Sequence, residues 1–381
     1  MPNKIKVILI FLITIATVIA GSYFSERLLF KEKKSMITVN DHIIINKDMT
    51  VKEFGIENKI PKILLSKTFD IKNDVEVNKK ISEYSLNEEE ILSNLKKNLT
   101  ILQEANSKDW GKIRIKFALW ILFLIVVFIL TKLRLVKSKI RIILYGIAVL
   151  VFGVILGSDP SPMGTIKDGV ILFSRQQIFF LPRLIALTFM LILVFVANKF
   201  ICGWGCQLGT LQDFIFRINR GKNNKGIFRQ IKIPFKVSNA IRISFFIALV
   251  FFSVIFALDL VEFIDPFKIF KPSVIGIISA IFIGIIFVSS LFIYRPWCHF
   301  FCPFGLAGWL IEQISIFKIR VDRSLCINCN KCVNACPSNA MKTILDNKKI
   351  RMDCFSCSSC IESCPVKAIS FSAGRNVKNI D

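Results

Sequence analysis

Cys326-Ile327-Asn328-Cys329-Asn330-Lys331-Cys332-Val333-Asn334-Ala335-Cys336-Pro337 is followed by Cys354-Phe355-Ser356-Cys357-Ser358-Ser359-Cys360-Ile361-Glu362-Ser363-Cys364-Pro365. Both read C-x2-C-x2-C-x3-C-P. That spacing is a thiolate pattern for [4Fe–4S] clusters in which the fourth Cys of each run ligates the other run's cluster. It predicts one cluster on Cys326, Cys329, Cys332 and Cys364, and a second on Cys354, Cys357, Cys360 and Cys336. Pro337 and Pro365 turn the chain away after each fourth ligand. A disulfide framework would need an oxidising compartment, and these cysteines follow a cytosolic metal spacing instead. Zinc favours C-x2-C pairs with a longer gap between them.

Outward from this stretch, all twelve cysteines fall after residue 200. The four outside the double run form two C-x3-C pairs, Cys202/Cys206 and Cys298/Cys302. None is left over, which argues for metal and redox chemistry in a reducing compartment. The two histidines, His42 and His299, offer no suitable pair of axial ligands for a haem inside a bundle.

The 381 residues are 53% hydrophobic, and several apolar runs approach the roughly 20 residues needed to cross a bilayer. The formal net charge is +24. Lys and Arg cluster in short loops beside the apolar runs, so the positive-inside rule accounts for most of that charge. With no aromatic-basic signature and no phosphate-binding Gly loop, the sequence does not point to nucleic acid.

Residues 1–24 carry Lys4 and Lys6 and then the apolar run Val7–Ala20, a signal peptide or an uncleaved signal-anchor. Residues 25–112 form the long polar segment, an expected extracytoplasmic and mainly helical module. Within it, Ile37–Val39 and Ile43–Ile45 about Asn40-Asp41 read as a hairpin. Thr50…Glu53 and Ser85…Glu88 read as capping boxes, and Pro61 suits a first helical turn. The module has no cysteine and no flavin-attachment signature.

Residues 113–318 are the expected transmembrane bundle, with apolar runs Phe117–Thr131, Ile142–Gly157, Ile178–Ala197, Ile241–Leu260 and Val274–Tyr294. Counting the N-terminal run makes six spans, with both termini inside. Residues 319–381 are the expected cytoplasmic two-cluster ferredoxin domain. The fold class is therefore mainly α: a polytopic helical membrane protein with a small extracytoplasmic helical module and a C-terminal α+β domain.

The bundle contains an internal repeat. Lys199-Phe200-Ile201-Cys202-Gly203-Trp204-Gly205-Cys206-Gln207-Leu208-Gly209 aligns with Arg295-Pro296-Trp297-Cys298-His299-Phe300-Phe301-Cys302-Pro303-Phe304-Gly305. Each copy follows an Asp-Pro loop (Asp159-Pro160, Asp265-Pro266) and an inward span, and each precedes an amphipathic stretch. Same-direction copies imply a two-fold axis along the membrane normal. That symmetry would bring Cys202, Cys206, Cys298 and Cys302 to one depth as a third centre, for iron–sulfur, Cu(I) or zinc. His299 is either a further ligand or a polar anchor. Asp159, Glu262, Asp265 and Arg183, at the outer ends of spans, mark either a quinone or proton site or interfacial anchoring.

The two C-x3-C elements at span ends, with the trailing double C-x2-C-x2-C-x3-C-P, resemble the membrane-bound ferredoxins of the NapH, NosR and CcoG type over about residues 117–372. The family's C-x3-C-P maps onto Cys298, Cys302 and Pro303, whereas Gln207 replaces the proline in the first copy. The resemblance implies an iron–sulfur electron-transfer protein working between the quinone pool or a cytosolic donor such as ferredoxin and an extracytoplasmic or membrane redox partner, as in a NapH-like quinol dehydrogenase subunit. CcoG-like relatives imply copper reduction during assembly of a respiratory complex, and NosR-like relatives a redox regulator. The implied location is the inner membrane. A hydrocarbon core about 30 Å thick exceeds tunnelling reach, so electrons cross it on a quinone or through a partner's centres.

Overall fold

The computed structural model describes residues 3–29, 43–71, 73, 75–220 and 226–374. The chain divides into two compact units, Phe30–Ile113 and the remainder.

The smaller unit is helical, with helices Val51–Glu57, Lys62–Thr68 and Glu88–Asn106. Its core joins Val51, Phe54, Leu64, Leu65, Phe69, Ile91 and Leu95. Thr50 and Glu53 form the expected capping box, with Glu53 N–H donating to Thr50 Oγ1 at 3.2 Å and Thr50 N–H to Glu53 Oε2 at 2.8 Å. The second box sits two residues later than expected: Asn87 is the N-cap and its N–H donates to Glu90 Oε2 at 2.9 Å. A run of three acidic residues there leaves Glu90, not Glu88, one turn inside the helix. Residues 37–42 of the expected hairpin lie outside the described residues. The Ile44 main chain pairs instead with the buried Asn58 side chain, which accepts from its N–H at 2.8 Å and donates to its carbonyl at 2.9 Å.

Among the described residues four helices are long and apolar enough to cross a membrane: Lys4–Leu28, Trp110–Lys132, Ser138–Ile155 and Phe235–Phe256. Trp110–Lys132 has no charge between Lys116 and Lys132, and Leu122, Ile125 and Ile129 point outward unburied. Such exposed apolar faces suit lipid rather than water. The other two expected spans are shorter apolar helices, Leu181–Ala197 and Ile277–Ser289. The first is shortened because 177–180 is not helical and Pro182 lies in the opening turn.

Helix Pro162–Gln176, between the Asp159-Pro160 loop and Leu181, was not anticipated. Ser161 caps it by accepting from Gly164 N–H at 3.0 Å, and Pro162 opens it. The bundle core includes the fully buried Trp120, Trp204 and Trp297.

The C-terminal part carries the two-stranded antiparallel sheet of β1 (Lys318–Val321) and β2 (Ile369–Ser372), with Lys318 opposite Ser372 and Val321 opposite Ile369. Between the strands, short helices Lys331–Ala335 and Ser359–Ser363 pack on each other. The two cysteine runs take one backbone course. Asn328 and Asn330 in the first run, and Ser356 and Ser358 in the second, are left-handed, and so are Asn339 and Lys367 further on. The strand pairing folds one run back upon the other, which is the arrangement crossed ligation needs.

Candidate metal centres

Cys326, Cys329 and Cys332 line one cavity with Cys364, which comes from the other run. Val321, Leu345, Val366, Ala368 and Ile369 supply its apolar wall. Burial pushes the Cys332 thiol up to about 11, and the nearby Cys364 and Cys326 add to the rise. Ala368 N–H donates to Cys364 Sγ at 3.3 Å.

Cys336, Cys354, Cys357 and Cys360 form the complementary set. Burial raises the Cys360 thiol well above its ordinary value, and Cys336, Cys354 and Cys357 raise it further. Cys357 goes the other way. Its burial opposes ionisation, but Arg217 and Arg141 outweigh it and lower the thiol. Arg141 also donates from Nε to Cys357 O at 2.7 Å and pairs with Glu362 at 3.1 Å.

The two C-x3-C pairs meet as a third set. All four thiols are buried. After burial itself, the Cys202 thiol is raised by Cys206, Cys302 and Cys298. The pairs are held alike: Cys206 and Cys302 are N-caps at φ −73°, ψ 114° and φ −71°, ψ 115°, opening helices Gln207–Ile218 and Pro303–Glu312. Gly305 N–H donates to Cys302 Sγ at 3.3 Å. The first cysteine of each pair is set differently, Cys202 in a π-helical turn, Ile201–Gly205, and Cys298 in helix Pro296–Phe300. Such π turns recur at functional sites. Gly209 and Gly305 fit because a Cβ on either would lie 2.7 Å from Cys202 O or Cys298 O.

Among the described residues no three His, Cys, Asp or Glu side chains close around a point as they would for a single ion. A four-iron cube spreads its ligands over its corners. The cavity ringed by four cysteines, with apolar walls and an amide N–H aimed at sulfur, fits such a group.

Buried charges tie the third set to the second. Lys199 contacts Asp353 directly, lies 3.5 Å from Glu312 Oε2, and donates to Gly305 O at 3.0 Å. Arg242 pairs with Asp353 at 3.2 Å. Burial would raise the Asp353 carboxyl, but Lys199 and Arg242 hold it far below the carboxylate range. His299 faces Asp353, with Nδ1 3.4 Å from Oδ2, and burial lowers its pKa against the opposing pull of Asp353.

Arg295 donates to Cys202 O, to Gly203 O at 3.0 Å and to Asp213 Oδ2 at 2.7 Å. Tyr294 and Tyr145 hydroxyls donate to the same carboxylate oxygen at 2.7 and 3.0 Å. The Cys354–Ser359 loop lies on this assembly: Asn198 Nδ2 donates to Cys354 O at 3.0 Å, and Trp204 Nε1 to Ser356 O at 3.2 Å. Arg295 stands 4.6 Å over the Phe355 ring.

The charges expected at the outer ends of spans converge only in part. Lys167 lies 3.2 Å from both Asp168 and Asp259 and 3.9 Å from Asp265, and Arg183 pairs with Asp168 at 2.9 Å. Asp159 enters through its carbonyl, 3.4 Å from Lys116 Nζ. Glu262 contributes its backbone N–H to Asp259. Lys167, Asp168, Arg242, Asp213, Glu312 and Asp353 were not singled out from sequence, and Lys199 and Asp259 were read there only as charges at span ends. A lone charge beside an apolar run would have flagged Lys199 and Arg242.

The family model described as a 4Fe-4S dicluster domain matches residues 318–378. That described as a 4Fe-4S binding domain matches twice, over 179–226 and 275–321, once for each C-x3-C pair. The putative electron transport protein YccM of Escherichia coli is 30% identical over 175 residues, 42% of this chain and 48% of YccM. An uncharacterized protein of Methanocaldococcus jannaschii is 26% identical over 249 residues, 64% of this chain and 89% of that protein. The ferredoxin-type protein NapH of Haemophilus influenzae is 27% identical over 159 residues, 40% of this chain and 53% of NapH. The chain thus spans about half the length of YccM and NapH. No solved structure matches it. Together these matches show likeness to 4Fe–4S proteins that include YccM and NapH.

Proposed function

We propose, taking the chain as a NapH-like 4Fe–4S protein, that it conducts electrons between a soluble donor on the cytoplasmic side and a quinone or a partner redox protein. The observation that carries this reading is the lodging of the Cys354–Ser359 loop on the C-x3-C pairs, which sets three groups of four thiols in series. Cys326, Cys329, Cys332 and Cys364 would hold one [4Fe–4S] cluster, and Cys354, Cys357, Cys360 and Cys336 another. Cys202, Cys206, Cys298 and Cys302 would hold a third centre. Bound clusters supply one-electron storage at tunable potential.

The protein's own residues do the rest. The bundle excludes water from the third set, Lys199 and Arg295 hold its two loops together, and Asp213 and Asp353 balance those cations inside. Four buried thiols that do not close around a single point suit an iron–sulfur cluster better than a zinc or Cu(I) ion, and a place in the electron series favours iron–sulfur. The membrane arrangement we propose has six spans and the C-terminal domain in the cytoplasm, as the basic loops favour. It makes Phe30–Ile113 an extracytoplasmic module and puts Lys167, Asp259 and Asp265 at the quinone or partner side.

EPR with redox titration on anaerobically purified protein tests the reading. Three centres are expected, two from the dicluster part and one lost in Cys202→Ser or Cys298→Ser. A menaquinol analogue or a low-potential donor should change their redox state within the time of turnover. Purified protein that carries no iron–sulfur signal, or whose centres respond to neither, would sink it.

A further inference from the structure

All twelve cysteines lie among the described residues, and Cys329 alone is exposed. It opens the first thiol cavity to solvent. Ile327 and Val366 line that same cavity yet are 61% and 36% exposed, and Leu325 beside them is 53% exposed. An apolar lip left in water around a redox site is costly unless something covers it.

The rim of this lip is basic. Lys331 follows the cavity-lining Asn330, Lys367 follows Val366, and Arg323 precedes Leu325 by two residues. Across residues 318–374 nine Lys and Arg stand against four Asp and Glu. Two of those acids are turned inward: Asp353 is buried with Lys199 and Arg242, and Glu362 pairs with Arg141. Of the other two, Asp322 accepts from Ser324 and Asp346 lies 4.0 Å from Lys348. The face therefore presents an apolar centre, positive charge around it and a thiol ligand at its middle. Transient redox docking uses that pattern, with charge steering the encounter and a small dry centre closing the gap.

We infer that the surface of Leu325, Ile327 and Val366 around Cys329 docks a small soluble electron carrier with an acidic face, of ferredoxin type. The inference rests on the proposed function and names its entry point. One electron leaves the reduced carrier and one is gained at the cluster held by the Cys326 set, with no bond made or broken. The second set, whose Cys354–Ser356 stretch is bonded to Asn198 and Trp204 of the bundle, then lies next along the path from the carrier.

Binding of an oxidised acidic [2Fe–2S] ferredoxin to the full-length protein in detergent, followed by calorimetry, tests it. Wild-type affinity is expected to fall steeply from low to physiological salt. Lys331→Glu with Lys367→Glu should weaken binding by about tenfold or more, as reversing rim charges does. Lys47→Glu, an exposed charge in the other unit, should leave it unchanged. Affinity that is flat with salt, or equal in the double variant and wild type, overturns the inference. Methyl viologen radical reduces clusters without docking. If it reduces both proteins alike while ferredoxin binding differs, the entry face is supported. If viologen reduces neither, the proposed function itself fails, whatever the binding result.

Discussion

Lys199 and Arg295 stand at the same place in two copies of one repeat, three residues before Cys202 and Cys298, and each reaches across to the other copy's loop. Lys199 donates to Gly305 O at 3.0 Å, and Arg295 donates to Cys202 O and to Gly203 O at 3.0 Å. The exchange locks the two C-x3-C loops to each other without using the thiols. The copies differ in how the cation is balanced. Arg295 is answered by Asp213 from the other copy's amphipathic helix, whereas Lys199 is answered by Glu312 from the other copy's helix and also by Asp353 of the dicluster part.

Asp353→Asn should therefore cost far more than a surface substitution. It removes the anion shared by Lys199 and Arg242, both buried, and leaving buried charge uncompensated costs about 3–5 kcal/mol. Thermal unfolding in detergent is expected to shift down by several degrees. A shift no larger than that of Asp346→Asn, an exposed acid, would contradict the assignment.

The crossed thiol sets make a separable prediction. Cys364→Ser should abolish the same EPR signal as Cys326→Ser and leave the other cluster's signal standing. Cys336→Ser should match Cys354→Ser in the same way. Loss grouped by run, with Cys364→Ser matching Cys354→Ser, would show that each run serves its own cluster.

Gly203 marks the contact between the dicluster loop and the bundle. A Cβ there would lie 2.1 Å from Phe355 O, against backbone that cannot swing aside. Gly203→Ala is expected to destabilise by about 1–3 kcal/mol through overpacking. The two dicluster signals should survive while magnetic coupling to the proposed third centre weakens. Unchanged stability and coupling would refute this.

Asp265 gives a pH dependence away from any thiol. Burial raises its carboxyl to about 6 from an ordinary 3.8, with Lys167 opposing the rise. A raised carboxyl favours the protonated form in the fold. Its contribution is therefore complete below the ordinary value and is lost as pH climbs through about 6. The loss is on the order of 2–3 kcal/mol. Asp265→Asn keeps an acceptor for Phe267 N–H and should flatten this slope, read as the unfolding midpoint between about pH 4 and 7. An identical slope in both proteins would remove Asp265 as its source.

How far the sequence could be read follows from the range of each interaction. The cysteine runs, the Thr50–Glu53 box and the charge-free stretch between Lys116 and Lys132 are local patterns, in which spacing alone carries the physics. Local patterning also erred where near-equal choices stood side by side, as with the Asn87 cap displacing Ser85, and it passed over helix Pro162–Gln176. The pairing of the four C-x3-C thiols was legible only through the repeat. The tertiary structure alone decided which charges sit together. Lys199 and Asp353 are 154 residues apart, and Arg295 and Asp213 are 82. A buried ion pair has no period along the chain. It forms because low dielectric makes each charge untenable without the other, and only the folded path says which two meet.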